Sequence, residues 1–125
     1  MESAAKPGKV SSLGAPTFSL QHTGSNGGYR FSLDANPGES GTIELRVLDA
    51  TWGKRLSERN IADNSRKPID GSKDASRRFR SQGSFTISEG GPFWYFPARV
   101  EVWFLPRAGG PERKLLERLY RVEGF

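Results

Sequence analysis

Cysteine is missing from all 125 residues. Its absence excludes a disulfide framework, a thiolate nucleophile and a zinc–sulfur site, and assigns no compartment by itself, since a reducing cytosol and a secreted domain with an adequate core both permit it. Histidine occurs once, as His22. A lone histidine at a strand end, with no GxSxG elbow in the chain, reads as a packed or solvated side chain and not as a base. No apolar run approaches the roughly 18 residues that a membrane helix needs, so no part of this segment is expected to insert. The start, MESAAKPGKVSS, has no apolar middle of the kind a secretory leader carries. It reads as a natural tail or as a chain that starts beyond a removed leader or anchor, with residues 1–14 flexible and residues 15–125 forming one domain.

Glycine (15) and proline (8) are plentiful and fall between apolar runs, which is the punctuation of short strands and turns. The runs alternate. Phe18 and Leu20 share one face. Tyr29, Phe31 and Leu33 oppose Arg30, Ser32 and Asp34; Ile43, Leu45 and Val47 oppose Glu44 and Arg46. Phe85 and Ile87 point in, and Val100, Val102 and Phe104 oppose Arg99, Glu101 and Trp103. Period-2 alternation puts one face of each strand in a core and the other in water, the habit of antiparallel sheets. GSNGG suits a hairpin. Asn36-Pro37-Gly38 suits a turn in which proline presets φ and glycine takes the positive-φ site.

The last segment, PERKLLERLYRVEGF, has two readings. Leu115, Leu116, Leu119 and Tyr120 fall at helical spacing, between Pro111 and Gly124 as boundaries. Leu116, Tyr120 and Val122 also share one strand face, with Arg118 as the misfit. We favour a strand over 112–123, returning antiparallel beside Val100, with a docking helix as the alternative. Six or seven turn-linked strands predict an all-β fold: a two-sheet antiparallel sandwich of immunoglobulin-like type, with a small closed barrel as the competitor. The run PGESGTIELRVLD resembles a phrase of bacterial immunoglobulin-like modules, a polar turn feeding a core strand. It is also similar to the opening strand of a C2 domain, but the aspartates that hold calcium there have no matching positions in this chain.

Charge is concentrated. Between Trp52 and Gly83 nine basic residues stand against four acidic ones, which accounts for the whole excess of +5. Alternation fades there, and 52–83 reads as a basic polar insertion with one or two short edge strands, Ser76–Arg80 being the best candidate. Within it SRRFR sets Arg77, Arg78 and Arg80 around Phe79. Arginine forks take phosphate, sulfate or carboxylate, and an aromatic between them stacks on a base or sugar. The competing reading is an edge strand protected by its charges. Asp63, Asp70 and Asp74 lack the alternate spacing and closing glutamate of a calcium loop, with Arg66, Lys67 and Lys73 intervening. No metal or cofactor is expected, and neither GSNGG nor Gly109-Gly110 has the setting of a phosphate loop.

The aromatic run Phe93-Trp94-Tyr95-Phe96 completes the inventory. Four consecutive rings cannot share one strand face. Phe93 and Tyr95 are the expected core members, with Trp94, Phe96 and Trp103 turned outward and Trp52 capping the same end. Trp94 and Trp103 then form a candidate aromatic contact, and Arg77, Arg78, Phe79 and Arg80 a candidate anion contact. These features point to a non-enzymatic interaction or structural module of a cell-surface, pilus-associated or secreted assembly, with another protein or an anionic polysaccharide as partner. The alternative is a nucleic-acid-binding small barrel that uses SRRFR. The expected location is secreted, periplasmic or at the cell surface, and the composition suits a cytoplasmic protein as well.

Overall fold

The computed structural model describes residues 12–24, 26–90 and 95–124. Among the described residues, seven strands form two antiparallel sheets that stay separate and do not close into a barrel. The first sheet takes β1 (Thr17–His22), β2 (Gly28–Ala35) and β5 (Phe79–Thr86) in the order β1-β2-β5. The second takes β4 (Lys67–Ile69), β3 (Gly41–Asp49), β6 (Tyr95–Pro106) and β7 (Arg113–Glu123) in the order β4-β3-β6-β7. Lettered along the chain, these orders are A-B-E and C′-C-F-G, the arrangement of an immunoglobulin-like sandwich.

The core is the one that alternation marks. Phe31, Leu33, Ile43, Leu45, Val47, Val100, Val102 and Phe104 are sealed between the sheets. Phe18, Leu20, Phe79, Phe96 and Tyr120 pack at its margins. The Asn36-Pro37-Gly38 turn is formed as its residues require, with Gly38 at φ 88°. Asn36 itself is fully buried and ties three segments together. Its Oδ1 accepts the amides of Gly38 and Ser72, its Nδ2 donates to the Asp74 carbonyl, and its own carbonyl accepts the Leu13 amide.

The C-terminal segment takes the favoured strand reading, and two other elements differ from the sequence expectation, each for a physical reason. The C-terminal segment is strand β7, with Val100 opposite Arg118. The register skips one residue there, since Trp103 faces Lys114 while Val102 faces Leu116. Leu115 is the extra residue of a bulge, and both it and Leu116 are buried. Two adjacent buried leucines produce the helix-like spacing without a helix. The first difference is that Ser76–Arg80 and 84–88 are not separate pieces: β5 is continuous from Phe79. Its inward positions include Ser81 and Gly83, which break the apolar pattern. Ser81 Oγ donates to the Pro68 carbonyl at 2.8 Å, and the Phe31 ring lies 2.9 Å from where a Gly83 Cβ would stand. The neighbours fill what the strand lacks.

The second difference is a helix, α1 (Glu58–Ser65), inside the basic insertion. Only Ile61, Ala62 and Ser65 of it are buried, too few apolar residues to register as a period. Pro68 disfavours a helical conformation at Lys67 and so limits the helix at its end. The helix closes one side of the sandwich where β4 is too short to do so. β4 pairs with β3 only over Gly41–Ile43. Beyond it, Ser65 Oγ accepts the Leu45 amide at 2.8 Å and donates to the Ile61 carbonyl. Across the gap, Asn60 Oδ1 accepts the Thr86 amide of β5 at 2.9 Å. Two polar helix side chains thus stand in for a missing strand at two sheet edges.

Candidate functional site

The two contacts expected from sequence fall in different places. Tyr95 opens β6 and Trp103 lies eight residues along it, about 26 Å away at strand rise. Trp94, which immediately precedes Tyr95, lies outside the described residues, as does Phe93. The parity at the start of β6 reverses the expectation. Phe96 packs on the core with Ala98, Val100 and Val102, and Tyr95 is 52% exposed. Alternation runs unbroken through Pro97, because its carbonyl accepts the Ala50 amide on the side where β3 has already ended. A proline there costs no ladder bond.

Trp103 is not an open platform. It stands on the outer face of the four-stranded sheet, between Glu44 of β3 and Lys114 of β7. Its Nε1 donates to Glu101 at 2.8 Å. The Arg46 guanidinium lies 4.5 Å from its ring centroid and the Lys114 ammonium 5.5 Å. Glu101 is only 6% exposed and also accepts Arg99 Nε and Lys114 Nζ, both of which belong to buried residues. Burial pushes the Glu101 carboxyl up, but the bonds from Trp103, Arg99 and Lys114 outweigh it, and its pKa settles below the ordinary value. The same holds for Glu44, where burial is overcome by Arg66 and Arg46. These outward positions were expected to lie in water, but Glu44, Arg99, Glu101 and Lys114 are buried; Arg99 with Glu101 and Arg46 with Glu44 pair along one strand, and Lys114 reaches Glu101 from the next.

The SRRFR residues sit at the opposite end from Tyr95, where β5 begins. Phe79 turns inward and Arg77 lies over its ring at 5.1 Å. Arg80 turns outward and pairs with Asp34 through two bonds, 3.2 and 3.3 Å. Arg78 donates to the carbonyls of Ala75 and Arg77 and its guanidinium lies against Gly14. The four residues are close in space, but among the described residues Arg77 and Arg78 form no ion pair, whereas Arg80 does.

His22, at the end of β1, has both ring nitrogens engaged. Nδ1 accepts the Gly24 amide at 3.0 Å, and Nε2 faces Glu123 at 2.7 Å. The Glu123 amide in turn donates to the Tyr29 hydroxyl. The histidine joins an edge of one sheet to an edge of the other. The acids of the basic insertion do not converge either: among the described residues no group of three or more potential metal ligands forms. Asp74 accepts the amide and hydroxyl of Ser76, and those bonds hold its carboxyl below the usual range.

The feature that sequence reading placed wrongly is Trp52. Expected to cap the core, it is 82% exposed. It rides a tight turn after β3. Asp49 Oδ1 accepts the amides of Thr51 and Trp52, the Gly53 amide donates to the Asp49 carbonyl, and the Asp49 amide donates to Lys54. Gly53 supplies the left-handed conformation, φ 72°, that the return requires. A hollow of about 230 Å³ beside the indole is lined by Asp49, Thr51, Leu56, Glu89 and Phe96 among others. Glu89 does not face it as a free charge, because its carboxylate takes the amide and hydroxyl of Ser57 at 2.7 and 2.6 Å. The signal available in sequence was the Asp-x-x-Trp-Gly turn chemistry, which places a residue at a tip, where a ring has nothing to pack on.

Comparison with known proteins adds no likeness to these geometric facts: no family model matches the chain, and neither a curated protein nor a solved structure is significantly similar to it.

Proposed function

We propose that the protein is a non-enzymatic interaction module that holds a protein partner through the Trp52 end of the sandwich, in a cell-surface, pilus-associated or secreted assembly. The observation that carries this reading is the exposed indole on a turn fixed by Asp49. Tryptophan is the residue type most enriched where partners anchor, since it offers a large ring area at low conformational cost. A turn already fixed by its own hydrogen bonds pays little further ordering on binding. Tyr95, half exposed at the start of β6, extends the same end.

The test is site-specific photo-crosslinking from Lys54 in the cell of origin. The reading expects one dominant protein adduct that Trp52→Ala removes while leaving the folded state intact. An adduct that survives Trp52→Ala unchanged would overturn it.

A second reading is favoured by Arg77 and Arg78, whose guanidinium groups meet no carboxylate at ion-pair distance among the described residues. They suit an anionic polysaccharide. The inward turn of Phe79 removes the ring that a stacked base would use, so nucleic acid has less support. Heparin retention that falls steeply with salt, and that Arg77→Gln with Arg78→Gln abolishes, is the expected outcome of this reading. Equal retention of wild type and variant would discard it.

A further inference from the structure

On the flank of the molecule, away from both ends, α1 and the outer face of the four-stranded sheet enclose an open groove of about 680 Å³. Its walls carry four arginines and four acids over an apolar floor of Ala62 and Leu105. Counted by residue it is neutral, but its groups are not equally engaged. Every acid faces an arginine at 3.8 Å or less. Glu44 holds Arg46 and Arg66 at 3.0 and 2.8 Å; Glu112 meets the Arg46 fork with two bonds of 2.9 Å; Glu58 pairs with Arg55 at 3.1 Å; Asp63 leans on Arg66 at 3.8 Å. The arginines are not all taken. Arg59, on the helix, has no ion pair or hydrogen bond among the described residues, because Asp63 one turn further on is drawn to Arg66 instead. Arg55 is held through one Nη1 only, and its Nε is buried with no acceptor among the described residues.

An unmet buried N–H is costly, so the Arg55 fork gains by turning toward any acceptor offered inside the groove. Among the described residues, the one buried polar side-chain atom of the groove without a partner is thus a donor, and its one charge without an ion pair, Arg59, is a cation. A ligand that engages both must bring acceptors and negative charge. The planar Arg46–Glu112 pair demonstrates that carboxylates fit against guanidinium groups in this setting. From this geometry we infer that the groove is a binding site for a carboxylate ligand, seated between Arg55 and Arg59 with its methylenes on Ala62 and Leu105. The inference is independent of the Trp52 end.

The test follows the arginine Nε–H signals in ¹⁵N spectra of the full chain while glutarate, a hexaglutamate peptide or inorganic phosphate is added. The expected result is a saturable shift of the Arg55 and Arg59 signals with glutarate or the peptide, and a loss of affinity of about tenfold in Arg59→Gln. Tighter binding of the peptide than of glutarate assigns the carboxylate to an acidic protein segment; the reverse assigns it to a free small acid. Arg30 and Arg107 are the internal reference, being exposed cations outside the groove. Shifts that are linear in concentration, that appear equally at Arg30 and Arg107, or that only phosphate produces would overturn the assignment. Arg59 is exposed, and unchanged backbone spectra of the variant separate a lost site from a lost fold.

Discussion

The two outer faces of the sandwich are built from the same kind of residue and end in different states. On the three-stranded sheet, Ser19, Gln21, Arg30, Gln82 and Ser84 are exposed, and the outward ion pair of Arg80 with Asp34 is half in water. On the four-stranded sheet, Arg99 is 4% exposed and Lys114 7%, and both converge on Glu101. Both faces alternate with a dry core in sequence. What separates them is side-chain length and register. Short polar groups stand apart and stay solvated. Long charged ones, aligned by Arg46 opposite Glu101 and Trp103 opposite Lys114, lie over one another and exclude water. An outward direction does not imply a wet residue.

The sharpest way to break the contrast is to remove the hub. Glu101→Ala leaves Arg99 and Lys114 buried without their carboxylate and should cost about 3–5 kcal/mol in urea unfolding. Asp34→Ala, its counterpart on the wet face, should cost about 1 kcal/mol or less. Equal costs would erase the distinction. Acid is the next probe. The folded pKa values of Glu44, Glu101 and Glu112 lie below their ordinary value. Their contribution is thus fully present above the unfolded carboxyl pKa of about 4.3 and is lost as pH falls through the lower folded values. Wild type should lose stability steeply below that point, and Glu101→Gln should show a shallower decline. A pH-independent unfolding midpoint would contradict the network.

A smaller effect sharpens the contrast at the sheet edge. Ser65→Ala strips the buried Leu45 amide of its acceptor and should cost about 1–3 kcal/mol, with faster hydrogen exchange confined to that amide. The smallest is Trp52→Ala, which should change stability by about 0.5 kcal/mol or less. A large loss there would mean that the indole is packed and would remove the proposed contact.

Much of the architecture was legible in the residues. The apolar partners of β2, β3 and β6 were readable because those strands keep strict period 2, and the Asn36-Pro37-Gly38 turn because its chemistry is local. β5 was half legible, since Ser81 and Gly83 borrow their packing from Pro68 and Phe31, residues remote in sequence. α1 was illegible because its helical face is mostly hydrogen bonds, Ser65 to Leu45 and Asn60 to Thr86, and not apolar area. Tyr95 was given the wrong face because the parity of Val100 and Val102 was not carried back through Pro97, where the strand runs unbroken. Among the candidate contacts, the grouping of Arg77, Arg78, Phe79 and Arg80 could be read. The pairing of Arg80 with Asp34 could not, since it requires the β2–β5 register.

By itself, the order of apolar and polar residues determined that this chain would fold as layered strands around a ring-rich core, with no thiol chemistry and with its excess positive charge in one insertion. Tertiary structure alone decided which charges are sealed, which guanidinium groups are left without a partner, and that Trp52 projects while Trp103 is covered. The reason is range. Alternation is a property of neighbours in the chain, whereas solvation and pairing depend on residues such as Glu44 and Trp103, or Arg46 and Glu112, that only strand register brings together.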